Sequence, residues 1–132
     1  MAAMGGKIYF QADDGTHGKE LWVSDGTAGG TSLLKDIRTG SSDSSPMHMT
    51  AMGSKIYFQA DDGTHGKELW VSDGTAGGTS MLKDIRSGSG DSSPQYLTVM
   101  DSKLYFQAND GTHGQELWVS NGTAGGTGML KD

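Results

Sequence analysis

The chain has 132 residues, with 22 Gly, 2 Pro, no Cys and a formal net charge of −6. The lack of Cys excludes a disulfide scaffold, a cysteine zinc site and a thiol nucleophile. The acidic balance argues against a nucleic-acid backbone as partner, and no apolar run approaches the roughly 18–20 residues of a membrane span.

Met1-Ala2-Ala3-Met4 lacks the charged and apolar regions of a signal peptide and predicts a short first strand. Gly5-Gly6 turns the chain into a second strand, Lys7–Ala12, rich in aromatic and β-branched residues. A loop of Asp, Gly, Thr and His leads to a third strand, Lys19–Ser24. The Gly-rich segment 25–30 then leads to a fourth, Thr31–Ile37. A Ser-rich link follows, and the pattern returns with a period of 48 residues. In the second copy the strands are Met47–Met52, Lys55–Ala60, Lys67–Ser72 and Thr79–Ile85. Residues 7–46 and 55–94 differ only at Leu33/Met81, Thr39/Ser87 and Ser42/Gly90. The chain therefore divides into units 1–38, 47–86 and 95–132, with links 39–46 and 87–94. Near-identity of this degree points to recent amplification or to deliberate symmetric engineering.

No unit carries a sustained 3.6-residue apolar period, so the fold class is all-β. Leu, Ile, Val and Phe make up only about 15% of the chain, a level that composition alone would assign to disorder, but the repeats override that reading. Four-stranded units of this length joined by longer links read as blades of a β-propeller. Alternation puts Ile8, Phe10 and Ala12 on one side of the second strand, with Tyr9 and Gln11 on the other. It puts Leu21 and Val23 opposite Glu20, Trp22 and Ser24 on the third. Each sheet thus has two apolar faces, as expected of a blade sandwiched between neighbours. Three antiparallel blades fall short of the usual four to eight, which leaves two end faces to be covered by copies of the same chain. The expectation is a homodimer completing a six-bladed ring, with a nine-bladed homotrimer as the alternative.

The stretch Glu20-Leu21-Trp22-Val23-Ser24-Asp25-Gly26-Thr27-Ala28-Gly29-Gly30-Thr31, followed by Leu34-Lys35-Asp36-Ile37, resembles the repeat of the bacterial ELWxxDGT family. It returns at Glu68 and at Glu116, where Asn121 replaces the expected Asp. The resemblance implies propeller-type repeats in secreted or surface-associated parent proteins. It brings no catalytic residue set with it. Short length and near-perfect symmetry also resemble propeller fragments built to test assembly from few blades.

Trp22, Trp70 and Trp118, with Phe10, Phe58 and Phe106, are read as blade-packing residues, since aromatic side chains dominate buried area. In the loop after the second strand, His17, His65 and His113 recur with Asp14, Asp62 and Asp110. Propeller topology brings this loop to the same end as the links, near Arg38 and Arg86. These residues are candidates for a weak ligand site in each blade, for a carbohydrate or an anion. The competing reading is turn chemistry, with Asp accepting backbone N–H bonds and Gly taking positive φ. One His per loop supplies too few ligands for a metal site, so no metal or cofactor is expected. Asn121 can fill the turn role of Asp25 and Asp73. Glu20 beside Lys19 reads as a solvated rim pair, although its fixed place before Leu-Trp leaves room for a buried hydrogen bond. Every unit offers the same groups, whereas an enzyme needs an asymmetric cluster. The sequence therefore reads as a non-enzymatic self-assembling module, with a multivalent lectin-like propeller as the alternative.

Overall fold

The structure, a computed structural model, describes residues 1–132 and contains twelve strands and no helix. Sheet 1 comprises β1 (Ala2–Met4), β2 (Lys7–Asp13), β3 (Lys19–Ser24) and β4 (Thr31–Lys35). Sheet 2 comprises β5 (Met47–Met52), β6 (Lys55–Asp61), β7 (Lys67–Ser72) and β8 (Thr79–Lys83). Sheet 3 comprises β9 (Gln95–Met100), β10 (Lys103–Asn109), β11 (Gln115–Ser120) and β12 (Thr127–Lys131). Each sheet is an antiparallel meander in chain order. With no helix present, none is long and apolar enough to cross a membrane.

The third strands lie where the sequence pattern puts them, and the second strands run one residue further, to Asp13, Asp61 and Asn109. The fourth strands stop earlier than expected, at Lys35 and Lys83. Ile37 and Ile85 have left the ladder because their amides donate instead to the carboxylates of Glu20 and Glu68, at 2.8 Å in both sheets. A register shift between Met47 and Thr50 bends β5. It leaves His48 exposed in a left-handed conformation (φ 58°), and Tyr96 has the same conformation in β9.

Pairing aligns Phe10 with Trp22 and Trp22 with Leu33, and the same rows recur as Phe58–Trp70–Met81 and Phe106–Trp118–Met129. Because successive side chains alternate between faces, each row marks one face of its sheet. Two cores result. Tyr9, Leu21 and Ile37 of the sheet 1 side pack against Ile56, Phe58, Ala60 and Trp70 of sheet 2. Tyr57, Leu69, Val71 and Ile85 of sheet 2 then pack against Leu104, Phe106, Ala108 and Trp118 of sheet 3. The first strands β1, β5 and β9 lie close to one another along the stack, and Thr50 donates to the Leu97 carbonyl at 3.3 Å across the sheet 2–sheet 3 junction.

Candidate functional site

The loop end of the stack is built from Asp side chains acting on backbone. Asp14 Oδ1 accepts the amides of Thr16 (2.8 Å) and His17 (2.9 Å), and its Oδ2 lies 2.6 Å from His17 Nδ1. Asp62 with His65 and Asp110 with His113 repeat this geometry, at 2.7 Å each. Backbone and ring donors from His17 hold the Asp14 carboxyl down at about 2, and the equivalent bonds from His113 hold Asp110 at about 2. In return each histidine is raised above 6.5 by the hydrogen bond to its aspartate. The three His–Asp pairs therefore close their own loops. No group of three or more His, Asp and Glu side chains comes together that could hold a metal ion.

The links come to the same end as these loops. Asp43 and Asp91 reach back to accept the amides of Lys19 (2.8 Å) and Lys67 (2.9 Å) in their own sheets. Arg38 reaches forward to the next sheet, with its Nη1 3.2 Å from Asp61 Oδ2, and it packs over Gly63. Arg86 packs over Gly111 in the same way. There Asn109 replaces the carboxylate, and the only side-chain bond of Arg86 is a long one, 3.5 Å to the Asp91 carbonyl. Of the sequence candidates, then, the structure pairs each His with its own Asp and brings Arg38 and Arg86 to the neighbouring loop. A cleft of about 480 Å³ opens between sheets 1 and 2, lined by Arg38, Ser41–Ser45, Asp61 and Lys67, with no apolar wall.

Beneath this end lie the groups that sequence reasoning valued least. Glu20 and Glu68 are fully buried. Glu20 accepts the amides of Ile37 (2.8 Å), Arg38 (3.3 Å) and Ser44 (3.1 Å), and the Ser44 hydroxyl at 2.5 Å. Glu68 accepts those of Ile85 (2.8 Å) and Arg86 (3.3 Å), and the Ser92 hydroxyl at 2.6 Å. Burial pushes the Glu68 carboxyl up to about 7, against the pull of these donors, and raises Glu20 for the same reason. Each glutamate thus fastens the link that leads to the next sheet. The signal for this was the fixed offset between Glu and the returning Ser, 24 residues in both copies.

At the opposite end, Asp25 Oδ1 accepts the Thr27 amide (2.9 Å) and hydroxyl (2.7 Å), and Asn121 makes the same two bonds with Thr123 (3.0 and 2.7 Å). Asn fills the turn because the turn uses only the amide oxygen. A Cβ at Gly30, Gly78 or Gly126 would collide with that side chain, which explains the second Gly of each Gly-Gly pair.

The two outer faces of the stack differ from the inner ones. Ile56 and Phe58 are fully buried, but Ile8 at the same place in sheet 1 is 38% exposed, and Phe10 and Trp22 are half-buried. Leu21 and Leu69 are fully buried, whereas Leu117 is 43% exposed, alongside Met100 and Leu130 at 54% each. No family model matches the chain, and neither does any curated protein or solved structure.

Proposed function

We propose that the chain is a self-assembling β-propeller module, without enzymatic activity, in which two copies complete a six-bladed ring. One observation carries this reading. The open face of sheet 1 has the side chains that sheet 2 turns toward sheet 1. The open face of sheet 3 has those that sheet 2 turns toward sheet 3. The chain therefore exposes both halves of a junction that it already builds twice. Joining sheet 3 of one copy to sheet 1 of the next repeats the same rotation, and a head-to-tail contact closes into a ring when that rotation completes a full turn, as against an open filament when it does not. Covering these faces recovers roughly 25 cal/mol per Å² of apolar surface. A nine-bladed trimer is the other closed solution. The same reading keeps the chain with the ELWxxDGT repeats it resembles.

The test is a charge placed on the open face of sheet 1, where Ile8→Arg should release single chains in gel filtration while leaving strand content unchanged. An assembly that survives this substitution would overturn the reading. A second reading, weak carbohydrate or anion binding at the junctions, is favoured by the polar cleft around Arg38 and Asp61. Repetition would raise its avidity. A glycan array probed with the chain supports it if Arg38→Ala lowers the signal and refutes it if nothing binds.

A further inference from the structure

The two junctions inside the chain differ at three of the places that line the polar cleft. Ser42, Asp61 and Lys67 at the sheet 1–sheet 2 junction become Gly90, Asn109 and Gln115 at the sheet 2–sheet 3 junction. A Cβ on Gly90 would lie 2.6 Å from Arg86 Nε, so a serine there and this arginine position exclude each other. Arg86 folds back over its own link, to 3.5 Å from the Asp91 carbonyl, and no cleft opens beside it. Arg38, beside Ser42, instead reaches forward to Asp61 at 3.2 Å, and the cleft of about 480 Å³ lies open there.

The carboxylates of this cleft are largely spent, and its donors are not. Asp61 accepts the Gly63 amide at 2.7 Å on Oδ1 and Arg38 on Oδ2. Asp43 Oδ1 accepts the Lys19 amide at 2.8 Å, which leaves its Oδ2 as the one free carboxylate oxygen. Arg38 commits a single N–H to Asp61, while the Lys67 ammonium and the hydroxyls of Ser41, Ser42 and Ser45 have no partner. No apolar side chain lines the wall, so nothing there stacks on a ring or seats a hydrocarbon. Free donors, two of them on cations, with no apolar surface favour a compact ligand made of acceptors.

We propose that the sheet 1–sheet 2 cleft binds a tetrahedral oxyanion, a phosphate or sulfate group, between Arg38 and Lys67. Arg38 supplies its remaining N–H donors and Lys67 a second positive charge, with the serine hydroxyls completing the donor set. The sheet 2–sheet 3 junction has no such site, because Arg86 is folded away and Gln115 carries no charge. The cleft lies within one chain and does not depend on the ring. The proposal rests on the reading of the junctions as ligand sites and narrows it to one ligand class at one junction.

The experiment is equilibrium dialysis of radiolabelled inorganic phosphate against the full 132-residue chain at low ionic strength, with sulfate and a hexose phosphate as competitors. The expected result is one phosphate per chain, saturating by about 1 mM, and displaced by both competitors. Stronger displacement by the hexose phosphate marks an ester as the source of the group, and displacement equal to that by free phosphate marks the free ion. Lys67→Gln, which installs the residue that sheet 3 has at this place, should weaken binding about tenfold. The triple variant Gly90→Ser, Asn109→Asp, Gln115→Lys rebuilds the second junction on the pattern of the first and should bind two phosphates. No saturable binding, unchanged affinity in Lys67→Gln, or a single phosphate on the triple variant overturns the inference. A neutral sugar that binds through Arg38 while phosphate does not would refute the oxyanion and leave the junction reading standing. Silence from both would refute the two together.

Discussion

Replacing Glu68 by Ala, with Glu116→Ala as its internal control, isolates what a covered glutamate contributes. The two residues share sequence context and strand register, but only Glu68 is buried and bonded. Its removal leaves the Ile85 amide without its acceptor inside the fold and frees the partly buried Arg86 amide, while the Ser92 hydroxyl keeps the Lys67 carbonyl at 3.1 Å. Each buried unpaired donor costs about 1–3 kcal/mol. Relief from burying a carboxyl whose pKa is pushed up to about 7 offsets part of that, so the net loss should be about 2 kcal/mol. Glu116→Ala removes no hydrogen bond and should change stability by no more than about 0.5 kcal/mol. Urea denaturation at one fixed protein concentration reads both values, since assembly makes stability concentration-dependent. Equal losses in the two variants would refute the link-fastening role.

Three further outcomes follow from the same structure. Folded Glu68 keeps its proton up to about pH 7, whereas an ordinary Glu releases it near 4.5, so the folded state binds more protons in between and stability falls as pH rises through that window. The histidines, raised above 6.5, extend this fall, while Asp14 and Asp110 lose their contribution as pH drops from 3.8 toward 2. The melting temperature should therefore peak at about pH 4, Glu68→Gln should shallow the upper limb, and a flat limb in the unaltered chain would contradict this. Gly18→Ala should cost more than about 1 kcal/mol in thermal unfolding, because Gly18 has φ +76° and a Cβ there meets the Ser42 carbonyl; a neutral result would count against the observed link path. Asp61→Asn should cost at most about 1 kcal/mol in urea denaturation, since the Arg38 pair is partly solvated and Asn stands at this position in sheet 3; a larger loss would show that the pair carries the junction.

The strands were legible because alternation and turn residues repeat three times, and each copy checks the others. The face assignment was legible too: Ile56, Phe58 and Trp70 pack toward sheet 1, and Tyr57, Leu69 and Val71 toward sheet 3. Glu20 was read more weakly, because Lys-Glu on a strand has the local signature of a solvated rim. Its donors come from Ser44, 24 residues away, and from a strand end that had to stop short to supply them. The His loops were ambiguous for a different reason. A His three residues after an Asp fits both a ligand pair and a loop closure, and only the 2.6–2.7 Å contact within each loop shows that each pair closes its own turn. Finally, Trp22 and Trp70 sit in identical sequence surroundings, yet one is half-buried and the other buried. Their difference lies in place along the stack, which no local pattern encodes.

The most direct test of the assembly is the absolute mass of the purified chain by multi-angle light scattering at micromolar concentration. Ring closure by two copies requires a single species of twice 13.8 kDa that persists on dilution. A stable species of 13.8 kDa, with Ile8 and Leu117 left in solvent, would contradict it.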